Sequence, residues 1–203
     1  MKIICIGRNY VEHALELKNE VPTEPVFFMK PDTAVLPPDR AFYLPDFSSD
    51  IHHEIELVLK ICKEGKNIAP EFASRYYDQI TVGIDFTARD IQQKQKEKGL
   101  PWEPAKAFDH SAPVGTFIPF SSLKNPKSIS FHLDINGKTV QSAKSDLMIH
   151  SFDQMISYVS RFVTLRKGDL IFSGTPKGVG AVKPGDKLSC FLEEQLLLTV
   201  EVK

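Results

Sequence analysis

The sequence lacks an excess of charge of either sign. Its 25 Lys and Arg residues stand against 26 Asp and Glu residues, which gives a formal net charge of -1. A balanced chain presents no broad electrostatic field to a nucleic acid or an anionic membrane surface, so any electropositive site must be local. We therefore expect neither nucleic acid nor membrane among its partners.

Cysteine is also scarce, and long apolar runs are absent. Cys5, Cys62 and Cys190 lie far apart and form no C-x-x-C pair, a pattern typical of reduced cytosolic thiols and unsuited to a thiolate zinc site. The apolar stretch of residues 1–7 is too short for a signal peptide, and no run approaches the roughly eighteen apolar residues of a membrane helix. We expect a soluble cytoplasmic protein.

What the sequence does contain is enough apolar material for one core. With 203 residues, of which 42% are hydrophobic, the chain suits a single domain over residues 1–203. Asn136-Gly137 lies within alternating residues 130–141 and predicts a hairpin. The other predicted elements are helices over 10–17, 71–79, 89–98 and 152–163 and strands over 2–6, 54–62, 80–86, 169–172, 187–192 and 196–202. This balance favours a β-rich α+β fold with mixed sheets around a core.

Three acidic residues stand out on two predicted strands. Residues 54–62 alternate at first, which predicts a half-buried strand with Glu54 and Glu56 together on the face opposite the apolar side chains. Asp85 ends the strand that follows. An all-oxygen set of this kind suits magnesium, manganese or calcium better than zinc. An ordinary solvated strand face with an unrelated aspartate would show the same pattern, and of the adjacent His52 and His53 at most one could join a metal site.

A second pair of chemical interest is His13 with Glu16. The two residues are three apart on a predicted helix and so share one face. A carboxylate raises the basicity of an imidazole and orients it, which makes His13 a candidate general base for activating water at neutral pH. A surface pair without function is the alternative.

Groups suited to an anionic ligand follow Asp85 along the chain. Arg89 and Gln92 are neighbours on the predicted helix 89–98, and Lys106 lies beyond a turn that returns the chain toward them. A solvated charged helix is the alternative. Further on, residues 174–180 match neither the phosphate-binding nor the dinucleotide-binding glycine pattern. Their glycines permit close approach of a ligand to the backbone beside Thr175, although a plain tight turn would use the same residues.

These segments together resemble the fumarylacetoacetate hydrolase family, in particular its short single-domain members, which include acylpyruvases and related decarboxylases and isomerases. The matching motifs occur in the family's order along nearly the whole chain. They are Gly7-Arg8-Asn9-Tyr10 with His13, Lys30-Pro31, His52-His53-Glu54-Ile55-Glu56-Leu57, Asp85-Phe86-Thr87-Ala88-Arg89-Asp90, Gly99-Leu100-Pro101-Trp102 leading to Lys106, and Gly168-Asp169 leading to Gly174-Thr175-Pro176-Lys177-Gly178-Val179-Gly180.

The resemblance implies a mixed-sheet β-roll, of the type of this family's C-terminal domain, as one catalytic domain that forms a homodimer. It also implies a role for each candidate residue. Mg²⁺ or Mn²⁺ would be held by Glu54, Glu56 and Asp85. The water-activating dyad would be His13 and Glu16, Lys106 would stabilise the developing charge, and the substrate would contact Arg89, Gln92 and Thr175.

The activity implied is that of a metal-dependent enzyme acting on small 2-oxo or 1,3-diketo acids through an enolate. Hydrolysis of a C–C bond, as in acylpyruvates and fumarylpyruvate, and decarboxylation, as in oxaloacetate, share this intermediate. Isomerisation of 2-hydroxyhepta-2,4-diene-1,7-dioate is the alternative reaction. An alternative of another class is a metal-stabilised binding or scaffold protein without turnover, since fold alone does not fix function.

Overall fold

A computed structural model describes residues 1–17 and 20–203. Strands predominate, as predicted. In chain order they are β1 (Ile3–Gly7), β2 (Val26–Lys30), β3 (Ile51–His53), β4 (Ile55–Ile61), β5 (Tyr77–Ile84), β6 (Thr87–Ala88), β7 (Ile118–Pro119), β8 (Ser130–Ile135), β9 (Lys138–Lys144), β10 (Leu170–Phe172), β11 (Gly180–Ala181), β12 (Lys187–Leu192) and β13 (Gln195–Glu201). The α-helices are α1 (Val11–Glu16), α2 (Pro70–Ala73), α3 (Arg89–Lys98), α4 (Glu103–Lys106) and α5 (Phe152–Ser160).

The strands of the described residues form three sheets. The largest has the order β2-β1-β10-β4-β5-β7, and it is mixed because β1 runs parallel to β10 while its other neighbouring strands pair antiparallel. A four-stranded sheet has the order β13-β12-β8-β9, and a small one the order β11-β3-β6. The predicted β-rich fold with mixed sheets is confirmed. No helix in the described part of the chain has both the length and the apolar character needed to span a membrane.

The central strand β4 is buried on both faces, not on one as predicted. Its odd-numbered residues join the large hydrophobic core, whereas Val58 packs on the other face in a second cluster with Cys5 and Phe172. Glu54 and Glu56 share the side of Val58, and both are buried. The face expected to meet solvent is therefore covered, and its carboxylates lie inside the molecule.

Predictions that depend only on neighbouring residues are confirmed, whereas one that ignores a distant strand partner is wrong. The hairpin is confirmed, with both Asn136 and Gly137 at positive φ between β8 and β9. The helix 89–98 is confirmed with its predicted bounds and ends at Gly99 in the left-handed conformation. The predicted helix 71–79 is wrong beyond Ala73, because the chain enters β5 at Tyr77 to pair with β4.

Candidate metal centre and substrate pocket

The pairing of β4 with β5 brings the three acidic residues together. Ile55 lies opposite Ile84, and the backbone N–H of Asp85 donates to the Glu54 carbonyl at 2.8 Å. Asp85 therefore reaches the side of the sheet that carries Glu54 and Glu56. One carboxylate oxygen from each lies within 4.8 Å of the others, and all three residues are buried.

Three cations surround this carboxylate trio. Lys106 Nζ donates to Glu54 Oε2 at 2.8 Å and to Asp85 Oδ2 at 2.7 Å. Lys30 Nζ lies 2.8 Å from the other oxygen of Asp85, and Arg89 binds Glu54 through its guanidinium group. The formal charges of the trio are thereby balanced, so the total charge alone does not call for a metal.

The charges are nevertheless unevenly distributed. Burial alone would raise the pKa of Glu54, but the Lys106 ammonium and the Arg89 guanidinium outweigh it and hold that pKa well below its usual range. The pKa of Glu56 is raised well above its usual value by burial and then by the charges of Asp85 and Glu54. Glu56 is the member of the trio whose negative charge is least compensated.

The trio fits a hard divalent cation. Its donors are all carboxylate oxygens, and they converge in a buried site. Glu56 Oε2 accepts the Gly174 N–H at 2.7 Å, whereas Oε1 accepts no hydrogen bond from any residue the structure describes. A cation beside Glu56 would relieve the like-charge crowding that raises its pKa, and this is the observation that favours a metal at this place.

His13 and Glu16 lie side by side as predicted, but no described residue forms a hydrogen bond with His13 Nδ1, and the electrostatics differ from the expectation. His13 Nδ1 lies 3.5 Å from Glu16 Oε2, and the Gly178 N–H donates to both carboxylate oxygens of Glu16, at 3.1 and 3.2 Å. Burial lowers the pKa of His13, and the charges of Arg89 and Lys106 add to that effect, so the raising influence of the carboxylates is outweighed. The imidazole is therefore neutral at pH 7 and can accept a proton.

One cavity collects nearly all the residues singled out from the sequence. Those lining it are His13, Glu54, Glu56, Asp85, Arg89, Gln92, Lys106 and Thr175. Glu16 does not line it, although it lies beside His13. Arg89 Nη1 donates to Gln92 Oε1 at 2.7 Å, and because a guanidinium can only donate, this contact fixes the orientation of the amide.

The glycines of residues 174–180 allow other segments of the same polypeptide to pack closely against this turn. Gly174 has φ +95°, and a Cβ there would lie 2.7 Å from Asn9 Cβ. Asn9 in turn donates to the Ser173 carbonyl at 2.8 Å, which fastens the start of the segment. Gly178 also has positive φ, and a Cβ there would lie 2.4 Å from the Val140 carbonyl oxygen. These close approaches are to backbone and side chains of the protein itself.

The structure adds residues to which the sequence analysis gave no role in the site, although Lys30, Arg8 and Trp102 stand in the motifs of the family resemblance. Lys30 is fully buried and also donates to Ser111 Oγ at 2.9 Å; its signal was a lysine at the end of an apolar strand. Arg8 and Lys96 line the cavity as further cations, and Phe28 and Trp102 form part of its wall. Lys96 and Phe28 stand in none of those motifs, and no local pattern distinguishes them from ordinary surface or core positions.

The adjacent histidines have partners outside the trio. His52 Nε2 lies 2.9 Å from Asp50 Oδ1, and His53 Nδ1 lies 2.9 Å from Gln141 Oε1. The group of side chains that could hold a metal consists of carboxylates only, within the described residues. Neither histidine joins it.

Comparisons with known proteins give matches over nearly the whole chain. The family model described as Fumarylacetoacetate (FAA) hydrolase C-terminal matches residues 2–203. The mitochondrial oxaloacetate tautomerase FAHD1 of Mus musculus is 40% identical over 201 residues, which cover 99% of this chain and 91% of the relative. The mitochondrial oxaloacetate decarboxylase of Dictyostelium discoideum is 41% identical over 190 residues, which cover 93% and 87%. The solved structure of fumarylpyruvate hydrolase from Pseudomonas aeruginosa, in complex with Mn²⁺ and pyruvate, is similar with a TM-score of 0.94 and 40% identity, covering 100% of this chain and 89% of that one.

Proposed function

Because the chain belongs to the fumarylacetoacetate hydrolase family of enzymes, we propose that it acts on small 2-oxo acids through an enolate, using a divalent metal. The observation that carries the proposal is the convergence of the carboxylate trio, the neutral His13 and the cation Lys106 in one cavity. A binding or scaffold protein would need the trio but no buried base beside it. The family model spans residues 2–203, which supports a single catalytic domain.

Glu54, Glu56 and Asp85 would hold the metal, as Mg²⁺ or Mn²⁺. Their buried all-oxygen donor set supports a hard cation, and the similar Pseudomonas aeruginosa hydrolase is described with Mn²⁺ and pyruvate. When bound, such an ion supplies Lewis-acid stabilisation of the negative charge that develops on a 2-oxo oxygen.

The polar groups of the cavity suit an anionic substrate. Since Gln92 Oε1 already accepts from Arg89, the Gln92 amide nitrogen is left to donate to a ligand oxygen. Thr175 offers a hydroxyl in the same cavity, and Arg8 adds a positive charge. These groups would orient the carboxylate of a 2-oxo acid relative to the trio.

Lys106 and His13 would have separate roles in the reaction, the first in stabilising charge and the second in accepting a proton. Burial alone would lower the pKa of Lys106, but Asp85 and Glu54 outweigh it and raise that pKa, so Lys106 stays a cation that faces developing negative charge. His13 is neutral and can take a proton from water, which would attack the second carbonyl of a 1,3-diketo acid and break its C–C bond. Because Nδ1 faces Glu16, Nε2 is the atom that would accept the proton.

Two further outcomes use the same enolate. Loss of carbon dioxide from oxaloacetate produces it without attack by water, so decarboxylation depends on the charge-stabilising groups more than on His13. Proton relocation, as in an isomerase or a tautomerase, is the second candidate reaction. It is favoured by the neutral imidazole, which can take up and return a proton within the cavity.

A substrate panel with controlled metal tests the proposal. Purified protein is stripped with chelator, and turnover of acetylpyruvate, fumarylpyruvate, oxaloacetate and 2-hydroxydienoates is measured before and after addition of Mg²⁺ or Mn²⁺. We expect turnover to vanish on chelation and to return with metal. Turnover that survives chelation unchanged contradicts the metal role. Tight binding of oxalate without turnover of any of these acids would instead identify a binding protein.

We also propose that the enzyme works as a homodimer in the cytoplasm. The dimer follows from the family resemblance, and the three free cysteines suit a reducing compartment. Light scattering coupled to size-exclusion chromatography tests the dimer, and a mass near 22.9 kDa, that of one chain, would contradict it.

A further inference from the structure

A buried amide outside the residues assigned so far connects the cavity to the strand that carries the trio. Gln141 lies on β9 and is only 1% exposed. Its Oε1 accepts the Ile55 N–H at 3.0 Å and lies 2.9 Å from His53 Nδ1. Its Nε2 donates to Thr175 Oγ1 at 3.0 Å and to the Pro176 carbonyl at 2.9 Å. Every hydrogen-bonding direction of the amide is thus used.

The orientation of this amide is fixed by two partners, one of which can only donate a hydrogen bond and one of which can only accept one. The backbone N–H of Ile55 can only donate, so the atom facing it must be the carbonyl oxygen. The carbonyl of Pro176 can only accept, so the atom facing it must be the nitrogen. It follows that Thr175 Oγ1 receives a hydrogen from Gln141 and that His53 carries its proton on Nδ1.

The direction of that hydrogen bond determines what Thr175 can do. A hydroxyl has one hydrogen to donate, and the oxygen of Thr175 is already used as an acceptor by Gln141. Among the described residues no acceptor takes the Thr175 hydrogen, and Thr175 lines the cavity together with Glu54 and Arg89. The hydroxyl hydrogen is therefore left for a ligand.

We infer that Gln141 is a positioning residue that holds the Thr175 hydroxyl as a hydrogen-bond donor to an oxygen of the anionic substrate. The inference rests on the proposed function for the nature of the ligand. Gln141 acts through Thr175 and does not line the cavity. The same amide oxygen also forms hydrogen bonds with both neighbours of Glu54, namely His53 and Ile55. One side chain therefore contacts both the Thr175 hydroxyl and the chain on either side of Glu54.

The test must separate this positioning from the structural cost of disturbing a buried amide. Gln141→Glu keeps the size and the oxygen that accepts from Ile55, but it replaces the nitrogen by a second oxygen. The Thr175 hydroxyl would then donate to that oxygen and would no longer present its hydrogen to a ligand. Gln195→Glu, at an exposed strand position, introduces the same charge change as a matched control.

Binding of oxalate in the presence of Mn²⁺, measured by calorimetry, is the main readout. A hydrogen bond to a charged group supports an expected loss of roughly tenfold or more in oxalate affinity for Gln141→Glu, with Gln195→Glu close to the wild type. In a Thr175→Val background, Gln141→Glu should weaken oxalate binding no further, although it should still lower the melting temperature of the metal-free protein. In a Thr175→Ser background, which keeps a hydroxyl, the loss should reappear.

Equal losses of affinity in the wild-type and Thr175→Val backgrounds would show that Gln141 acts on structure alone and would overturn the inference. Thr175→Val binding oxalate as tightly as the wild type would overturn it too, even if no Gln141 variant folds. Oxalate binding requires no turnover, so a protein inactive on every acid but showing the expected coupling would refute the enzymatic function and keep this inference. Turnover of one of these acids without the expected coupling would keep the enzymatic function and refute this inference.

Discussion

Replacing Glu56 by glutamine should strengthen the metal-free protein and abolish its response to metal. In the structure the Glu56 carboxylate is buried within 4.8 Å of the two other carboxylates of the trio. Glutamine has the same size, can accept the Gly174 N–H that Glu56 accepts, and carries no charge. The variant therefore removes the crowding while keeping the packing, and it also removes one of the proposed metal ligands.

The magnitude follows from the separation of the charges. Two unit charges 4.8 Å apart repel by roughly 3.5 kcal/mol at an effective dielectric constant of about 20, and both Asp85 and Glu54 repel Glu56. The attraction of Glu56 to Lys106 and to the other cations that pair with those carboxylates offsets most of this repulsion. We therefore expect a net gain of about 2 kcal/mol, or roughly 4–8 °C in melting temperature for a chain of this size. Metal at a hundred times its dissociation constant stabilises the wild type by about 2.7 kcal/mol and should not stabilise the variant.

The dependence of stability on pH gives an independent check on the sign of the stability change expected for Glu56→Gln. A raised carboxyl pKa means that the folded state holds this proton more tightly than the unfolded state does. The ionisation of Glu56 therefore costs stability as the pH rises above the ordinary value of 4.5. Glu56→Gln lacks this loss, so its advantage in chelator should be small near pH 4.5 and should grow toward neutral pH.

Differential scanning fluorimetry with chelator, and again with Mn²⁺, measures both effects. Glu71→Gln, on the exposed side of α2, is the matched control and should follow the wild type in both conditions. A variant that melts below the wild type in chelator would refute the crowding argument. If Mn²⁺ raised the melting temperature of Glu56→Gln as much as that of the wild type, the role of Glu56 as a ligand would be refuted.

Three further predictions concern the base and the buried lysine. His13→Ala should lower acetylpyruvate hydrolysis by roughly 10²–10⁴-fold and oxaloacetate decarboxylation far less, because only hydrolysis needs activated water; equal losses in the two assays would contradict this division. Since burial, with Arg89 and Lys106, lowers the pKa of His13 below 6.5, hydrolytic kcat/KM should be constant above neutral pH and decrease only below about pH 6.5; a decrease beginning at higher pH would contradict it. Lys30→Met leaves Asp85 without one of its buried cations and should cost about 3–5 kcal/mol of unfolding free energy in urea titrations with chelator, whereas a loss under about 1 kcal/mol would show that the pair is dispensable.

The differences between predicted and observed elements have one cause. The hairpin and the helix 89–98 are specified by residues within a few positions of each other, namely Asn136-Gly137 and the cap at Gly99, and both were predicted correctly. The predicted helix 71–79 failed where Tyr77 pairs with Ile61 on β4. That pairing outweighs a weak local preference, because propensity is a small term beside tertiary contacts.

The candidate site divides in the same way. The spacing of Glu54 and Glu56 placed both on one side of a strand, because side chains alternate along a strand whatever surrounds it. That this side is buried depends on the second hydrophobic cluster, whose members lie along the chain from Ile3 to Phe172. Burial is what shifts the pKa of Glu56, and no local pattern reports it.

By itself the sequence determined the chemical groups and their local arrangement: paired carboxylates on one strand, a histidine one helical turn from a glutamate, and a threonine among glycines. Only the tertiary structure decided which charges meet. Lys30 reaches Asp85 across 55 positions, and Gln141 reaches Thr175 across 34. Contacts of this length depend on the register of paired strands, and the energy of a buried charge depends on every group around it, so neither can be read from a local window of residues.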